Sequence, residues 1–498
     1  MSAMLSAMRR SRWVAVVAVV AATIGVGAAR SGATAPARPL DQAALDRFVQ
    51  REVRRNGIPG LALGVVDGNR TAFVSAFGKG ITTGTPFLLG SVSKPLTAVA
   101  VMQLVESGKV DLDGPVQRYV PSFRVADAAA SRRITVRQLL THTSGIPNTA
   151  CETEDDTLEA FVATLRTVHL DRPVGSRYEY CSGNYNLLGL LIERVSGQPY
   201  GRYMEDHVFA PLRMRDSFGT LAGARADGLA AGHRWIFGRK VAHTYYNPSG
   251  VPAGYLASSA SDMTRLLAAE MNGGRYGDAQ ILSPAGIAMT QRPMVKTDTG
   301  AHYGFGWETG ATGGVPTVHH GGVIYDYESL LFMEPSTHRG AVILINAQGV
   351  LAITAFHAIE GGVARMLAGR PPPGPALLTV GRTYAVVDLV LLALLYLVVR
   401  PFIRLRRWSA WVVGRGTRLR RPLVRAGVEV LGGILLVLGV RMFFTQLGAR
   451  NWFEIISLVP DLVPWVLVVG ALLVARGVTH AVVAGRARRS MTSQTAGA

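Results

Sequence analysis

Two residues near position 90 have the types and spacing needed to break an acyl bond. Ser91 and Lys94 are three residues apart and lead into an apolar helical run at 96–106, so they share one face at the start of a helix. A serine hydroxyl needs a base, and a buried lysine can serve because burial lowers its pKa. The helix N-terminus favours the oxyanion that forms during attack on a carbonyl. Ser91 and Lys94 are therefore a candidate nucleophile and base, but this spacing alone is a weak signal and needs the context of further motifs.

Two further stretches carry side chains that suit the same reaction. Tyr180, followed by Cys181 and Ser182, can relay a proton between nucleophile and leaving group. The stretch His319-His320-Gly321-Gly322 follows an apolar segment and precedes another, which predicts a position on or beside a sheet edge. Such an edge can offer a backbone N–H to an oxyanion.

In this order the three stretches resemble the motifs of the serine β-lactamase and penicillin-binding-protein superfamily. The branch that they resemble holds class C β-lactamases, D-alanyl-D-alanine carboxypeptidases, D-amino-acid peptidases and β-lactamase-like esterases. Supporting stretches are similar too and lie at 134–147, 253–259 and 303–307. Together they cover almost all of residues 41–365.

The resemblance implies a role for each motif residue. Ser91 is the acylated nucleophile, Lys94 its base, and Tyr180 the relay to the leaving group. The amide of Ser91 and an amide just after the third motif form the oxyanion hole. The resemblance further assigns three residues to the substrate and oxyanion site: Ser182, His320 and Gly322.

Two departures from the family pattern bear on the substrate. Ser182 stands where the family usually has Asn, and a His stands where many members have a Lys. Because a His is mostly uncharged at neutral pH, it holds a substrate carboxylate less strongly. We therefore expect less efficient β-lactam hydrolysis and favour esters, amides or D-amino-acid peptides of the cell envelope.

The third motif reads His-x-Gly in two registers, starting at His319 or at His320. The stretch 326–329 fits the family's following segment if the motif starts at His320, so we favour His320. Asp326 then stands where glycine is usual, and we expect a left-handed backbone there.

The central region, residues 40–369, is predicted to be one α+β hydrolase domain. A terminal helix, two hairpins (60–77 and 329–346) and a helix at 350–368 enclose a mostly helical middle. This order predicts an antiparallel β-sheet flanked by helices, with a mostly helical subdomain. A Pro-rich linker, 370–382, closes the domain.

The two ends of the chain are predicted to be membrane segments. Residues 1–35 read as a signal peptide or signal anchor, since Arg9, Arg10 and Arg12 precede an apolar run. Three apolar stretches at 383–399, 426–447 and 458–475 are long enough to cross a bilayer. Between and after them lie an Arg-rich loop, 400–425, and a tail, 476–498.

The charge distribution predicts orientation rather than nucleic-acid binding. The chain of 498 residues has a net charge of +19, but residues 41–369 carry 30 Lys and Arg against 29 Asp and Glu. The region after 399 carries 15 Arg and three acidic residues. The positive-inside rule places the Arg-rich loop and tail in the cytoplasm and the catalytic domain outside, with membrane lipid as a partner.

The remaining candidates leave alternatives open. Cys151 and Cys181 are consistent with a disulfide in an exported domain or with two buried thiols. His142 is interpreted as supporting a turn. The histidines show no metal-binding spacing, and we expect no metal or cofactor. Two other functions are consistent with the sequence: a catalytically weak or inactive protein that binds peptidoglycan or envelope ligands, and a channel or sensor built on the three helices.

Overall fold

The computed structural model describes residues 39–150, 155–403, 420–446 and 460–495. The predicted signal segment, Cys151, and most of the Arg-rich loop lie outside these residues. The helices of the hydrolase region are α1 Gln42–Asn56, α2 Ser93–Glu106, α3 Ala128–Arg133, α4 Val136–Leu140, α5 Leu158–Thr164, α6 Ser182–Ser196, α7 Tyr200–Met204, α8 Leu221–Ala226, α9 Ala260–Met271, α10 Pro284–Gln291 and α11 Ile353–Leu367. Three long helices follow: α12 Val380–Ile403, α13 Arg420–Gln446 and α14 Leu462–Thr495.

The strands form one large antiparallel sheet and three small two-stranded ones. They are β1 Gly60–Asp67, β2 Arg70–Gly78, β3 Phe87–Leu88, β4 His233–Ile236, β5 Arg239–Ala242, β6 Ala257–Ser258, β7 Arg275–Tyr276, β8 Ala279–Gln280, β9 Val295–Lys296, β10 His302–Tyr303, β11 Glu308–Thr312, β12 Val315–Ile324, β13 Tyr327–Glu334 and β14 Arg339–Ile345. The large sheet has eight strands in the order β2-β1-β14-β13-β12-β11-β10-β9. The two predicted hairpins form as β1–β2 and β13–β14, and β1 pairs with β14 to join them in one sheet.

Two hydrophobic cores cover the two faces of this sheet. Successive side chains of a strand point to opposite faces, so Leu61 and Leu63 of β1 enter one core while Ala62 enters the other. Helices α1 and α11 pack on one face, and α9 with the mostly helical region packs on the other. The α+β prediction is therefore confirmed, with the sheet between two helical layers.

Local signals explain the boundaries of α1. The Asp41 side chain accepts a hydrogen bond from the Ala44 amide at 2.8 Å, which caps the N-terminus. Gly57 ends the helix with φ of 63°, a left-handed conformation that glycine adopts without strain. This helix and the hairpin β1–β2 agree with the predicted segments.

The three C-terminal helices are long and apolar enough to cross a membrane. Candidate spans are Val380–Arg400, Leu423–Thr445 and Leu462–Arg486. The third helix continues past 475, where the predicted span ended, and Arg476 contacts both other helices. Its guanidinium lies 3.2 Å from the Glu429 carboxylate of α13 and donates to the Val398 carbonyl of α12 at 3.1 Å.

The first turns of α12 belong to the hydrolase core rather than to a free membrane segment. Val380 and Tyr384 are 2% and 3% exposed and pack in the core on the α1–α11 face. The Tyr384 ring stacks on Trp235 at a centroid distance of 6.5 Å. The Val380 amide donates to the Asn56 side chain at 3.3 Å. The central region is thus joined to the first apolar helix by packing as well as by the linker.

We expect Tyr384→Ala to destabilise the hydrolase region by about 3 kcal/mol, since it removes a buried aromatic side chain. Tyr396→Ala is the matched control, because Tyr396 lies on the same helix and is 58% exposed. Thermal unfolding of the full chain in detergent, followed by tryptophan fluorescence, measures both. Equal melting temperatures for the two variants would contradict the packing described here.

Candidate active site

Ser91 lies in a tight turn just before α2, between the sheet and the helical region. The turn, Gly90–Val92, is a 3-10 segment, and Gly90 has φ of 54°. A Cβ on Gly90 would lie 2.8 Å from the carbonyl carbon of Gly322 on β12. The positive φ and the close approach of β12 both require glycine at position 90. The turn therefore holds Ser91 next to β12.

Lys94 lies one helical turn beyond Ser91, and its side chain is completely buried. Its Nζ donates to Ser91 Oγ at 2.9 Å and to the Ala253 carbonyl at 2.8 Å, and it lies 3.4 Å from Ser182 Oγ. The carbonyl of Ala253 belongs to the segment Val251–Tyr255, a π-helical turn. This geometry places the lysine nitrogen next to the serine oxygen in a water-poor setting, as the base role requires.

Tyr180 reaches the same serine from the loop before α6. Its hydroxyl donates to Ser91 Oγ at 2.7 Å, and Lys94 Nζ lies 4.8 Å from the centre of its ring. The structure thus brings together all three residues that the sequence predicts for catalysis. Ser182 is the first residue of α6, and its hydroxyl lies beside the Lys94 amino group.

His142 lies at the centre of an aromatic cluster that supports Tyr180, a position that the sequence did not reveal. Its ring centroid lies 4.5 Å from that of Tyr180 and 4.9 Å from that of Tyr303. Its Nδ1 accepts a hydrogen bond from the Cys181 amide at 3.2 Å. Burial, and then the charge of Lys94, lower the pKa of His142 well below its usual value. The ring is therefore neutral and orients the tyrosine; its backbone φ of 56° supports the predicted turn role as well.

His320, not His319, faces the nucleophile. Its ring is buried, and its centroid is 6.5 Å from that of Tyr180. Its Nδ1 donates to the Gly321 carbonyl at 2.7 Å, and its Nε2 accepts from the Tyr303 hydroxyl at 3.0 Å. His319 points to the other face of β12, where its Nδ1 lies 3.0 Å from the Thr317 hydroxyl. Alternation along the strand therefore favours the register that starts at His320.

The charge state of His320 follows from its surroundings. Burial, followed by the charge of Lys94, lowers the pKa of His320 to about 3. Both ring nitrogens also have partners within the protein, as the neutral form requires. The third motif thus presents no cation to a substrate at neutral pH.

Gly322 lets β12 approach the nucleophile turn. Pairing of β11 with β12 ends at His319, so the following residues have only β13 as a strand neighbour on one side and the Ser91 turn on the other. A Cβ on Gly322 would lie 2.3 Å from the Leu89 carbonyl oxygen and 3.1 Å from the Ser91 amide nitrogen. This edge position is the one predicted, and it sets β12 beside the Ser91 amide.

Asp326 does not adopt the left-handed backbone that we expected. Among the described residues, the non-glycine positions with positive φ are His142, Arg213, Phe237 and His338. The Asp326 carboxylate is 1% exposed and accepts hydrogen bonds from the Arg234 side chain and the Tyr245 amide, both at 2.8 Å. The Asp326 carboxylate therefore ties the β12–β13 turn to β4 and to the segment at Tyr245.

Cys181 is disulfide-bonded and completely buried directly after Tyr180. Cys151, the other cysteine of the chain, lies outside the described residues. Of the two alternatives in the sequence, the structure excludes a free thiol at Cys181.

A family model described as beta-lactamase matches residues 45–361. The chain belongs to the beta-lactamase family. The family model covers all the residues placed around Ser91 and more than half of the chain. Beta-lactamase family proteins of this fold are serine hydrolases, and this chain is one.

Curated relatives fall within the same family. The chain is 32% identical to penicillin-binding protein 4 of Amycolatopsis lactamdurans, over 58% of this chain and 81% of that protein. It is 24% identical to protein flp of Staphylococcus aureus, over 61% of this chain and 63% of that protein. The chain therefore spans less than two thirds of the length of flp.

Two solved structures share the fold. The octameric penicillin-binding protein homologue from Pyrococcus abyssi matches with a TM-score of 0.59 and 26% identity, over 67% of this chain and 78% of that one. A D-stereospecific amidohydrolase from Streptomyces sp. matches with a TM-score of 0.51 and 25% identity, over 62% of this chain and 94% of that one.

The hydroxyl of Tyr180 can be tested separately from its ring. We expect Tyr180→Phe to lower kcat/KM for a chromogenic ester by about 10²–10⁴-fold, the range of a lost general acid–base group. Tyr178→Phe is the control, because Tyr178 lies in the same aromatic cluster, with its ring centroid 5.9 Å from that of His142. Comparable losses in both variants would show that the cluster, not the Tyr180 hydroxyl, governs the rate.

The low pKa of His320 predicts an acid-dependent loss of stability. The unfolded chain takes up this proton near pH 6.5, whereas the folded chain resists it down to about pH 3. The stability that the neutral His320 contributes is therefore fully present above pH 6.5. As the pH falls from 6.5 toward 3, the free energy of unfolding decreases by up to about 1.4 kcal/mol per pH unit.

Denaturant unfolding of His320→Asn against the unsubstituted chain at several pH values measures this slope. We expect the stability difference between them to shrink as the pH is lowered from 6 to 4. His302→Asn, at an exposed position of β10, is the control and should run parallel to the unsubstituted chain. A parallel curve for His320→Asn would contradict a buried neutral His320.

Proposed function

We propose that this chain is a membrane-anchored, extracytoplasmic serine hydrolase that works through an acyl-enzyme on Ser91. The observation that carries the proposal is the convergence of Lys94 Nζ and the Tyr180 hydroxyl on Ser91 Oγ, at 2.9 and 2.7 Å. Nucleophile and base within hydrogen-bond reach are the arrangement that covalent catalysis requires.

In the proposed reaction Lys94 starts as the neutral amine, Ser91 Oγ attacks the substrate carbonyl carbon, and the Ser91 proton passes to Lys94 Nζ. The amide of Ser91 and an amide at the Gly322 end of β12 hold the negative carbonyl oxygen. When the tetrahedral intermediate collapses, the Tyr180 hydroxyl protonates the leaving oxygen or nitrogen and regains a proton from Lys94. Water then attacks the Ser91 ester by the reverse sequence, which releases the acid and restores the serine.

The proposed substrates are esters, amides or D-amino-acid peptides of the cell envelope that need no cation at the third motif. His320 is neutral and its two nitrogens are engaged, so a penicillin carboxylate or a peptide C-terminus finds no positive partner there. The D-stereospecific action named for the Streptomyces amidohydrolase is consistent with this substrate class. Ser182, held at 3.4 Å from Lys94, leaves less reach toward substrate amides than the usual Asn.

The proposed orientation rests on the arginines around the apolar helices. Nine Arg lie between 400 and 425 and four after 475, whereas 448–457 contains one. The positive-inside rule puts the first two segments in the cytoplasm, and the hydrolase region then lies outside. The packing of Tyr384 against Trp235 supports a catalytic region held close to the membrane.

Labelling of the full chain in detergent with a fluorophosphonate and with a labelled penicillin tests the proposal. We expect a fluorophosphonate adduct on Ser91, found by mass spectrometry and lost in Ser91→Ala, and much weaker penicillin labelling. An adduct that persists in Ser91→Ala would contradict the proposed nucleophile. No adduct with either reagent would favour an inactive protein that binds envelope ligands, for which the short Ser182 side chain is the supporting observation.

A further inference from the structure

Three metal-ligating side chains meet on the face of the sheet opposite to the active site. Glu328 is on β13, and His357 and Glu360 are on α11, three residues apart and therefore on one face of that helix. Each offers one ligand atom, and these atoms all lie within 4.8 Å of one another. The family match and the proposed function assign no role to any of the three, and the sequence predicted no metal here because Glu328 is distant from His357 and Glu360 along the chain.

The two carboxyl groups of this cluster are buried, and one of their oxygens has no hydrogen-bond partner in the described part of the chain. Glu328 is 3% exposed and Glu360 is 8% exposed. Among the described residues, Oε2 of Glu328 has no hydrogen-bond partner. Buried carboxylates are normally paired with a cation or saturated with donors, so an unpartnered oxygen in a cluster with a second buried carboxyl group needs an explanation.

Protonation is one way to relieve this cost. Burial and then the neighbouring Glu360 raise the pKa of Glu328 to about 9, and burial raises the pKa of Glu360 to about 8. A divalent cation would relieve the same cost by replacing the protons, because it supplies two positive charges where the two carboxyl groups meet.

We propose that Glu328, His357 and Glu360 form a binding site for a divalent transition-metal ion of the zinc type. An imidazole nitrogen with two carboxylate oxygens is a donor set that suits Zn²⁺ better than Mg²⁺ or Ca²⁺, which prefer oxygen ligands only. Three protein ligands leave a fourth position for water, and His357, which is exposed, provides an entry path from solvent.

The site has a structural role, since it joins helix α11 to the middle of the sheet. The next residue on β13, Ser329, points to the opposite face, where its hydroxyl donates to the Leu89 carbonyl at 2.6 Å. Leu89 immediately precedes the nucleophile turn. A metal ion on Glu328 would therefore hold in place the strand that anchors this turn from the other side.

Metal content and metal-dependent stability test the proposal on the full chain in detergent, prepared without a histidine tag. After treatment with a chelator, ZnCl₂ is added and zinc per chain is measured by mass spectrometry while thermal unfolding is followed. We expect one zinc per chain and a melting temperature that rises with zinc concentration, because the ion binds only the folded state. Glu328→Gln and Glu360→Gln should each weaken binding by more than the ~10–100-fold that loss of an outer-shell partner costs.

The controls separate metal binding from loss of folding. Glu270→Gln removes another buried carboxyl group, 2% exposed on α9, and should leave zinc binding unchanged. His357→Ala changes an exposed side chain and should weaken binding without lowering the metal-free melting temperature. Co²⁺ added to the unsubstituted chain should give visible absorption bands. No stoichiometric zinc and no cobalt bands, or equal zinc binding in Glu328→Gln and the unsubstituted chain, would overturn the proposal.

Discussion

The amino group of Lys94 is completely buried, and the arrangement of the active site depends on satisfying it there. A buried polar group without partners is costly, so its hydrogen bonds must come from the surrounding chain. They come from segments far apart in sequence: Ser91 in the turn before α2, Ser182 at the start of α6, and the Ala253 carbonyl in the π-helical turn. The same packing that satisfies the lysine therefore brings it to the nucleophile.

The positive charge of Lys94 in its protonated form also affects the other side of the site. It is a cause of the low pKa of both His142 and His320, after burial. A second cation in the third motif would lie in the field of the first, and the neutral His320, hydrogen-bonded on both sides, avoids this repulsion. The proposed preference for substrates that need no cation at the third motif thus follows from a site in which Lys94, and not His320, carries the positive charge.

The sequence was informative where side chains carry the chemistry. The family resemblance of the motifs around Ser91, Lys94 and Tyr180 predicted the three groups that the structure brings together, and the strand and turn pattern predicted both hairpins of the sheet. The sequence was less informative about contacts that are made by backbone atoms or by residues far apart along the chain. The Ala253 carbonyl has no side-chain signature, although the stretch at 253–259 had marked the segment. The ring contact between His142 and Tyr180 depends on how two loops fold together, and Asp326 depends on an arginine 92 residues away. Similarly, the burial of Tyr384 in the hydrolase core could not be read from a hydrophobic run.

The central claim is that Lys94 and Tyr180 act on Ser91 as one coupled unit, and a double-mutant cycle tests it most directly. The rate of Ser91 acylation by a chromogenic ester is measured for Lys94→Met, for Tyr180→Phe and for the double variant. Groups that act as a unit are strongly non-additive, so the account predicts a double variant about as slow as the slower single variant. Losses that multiply would contradict it, because they would show two groups acting independently.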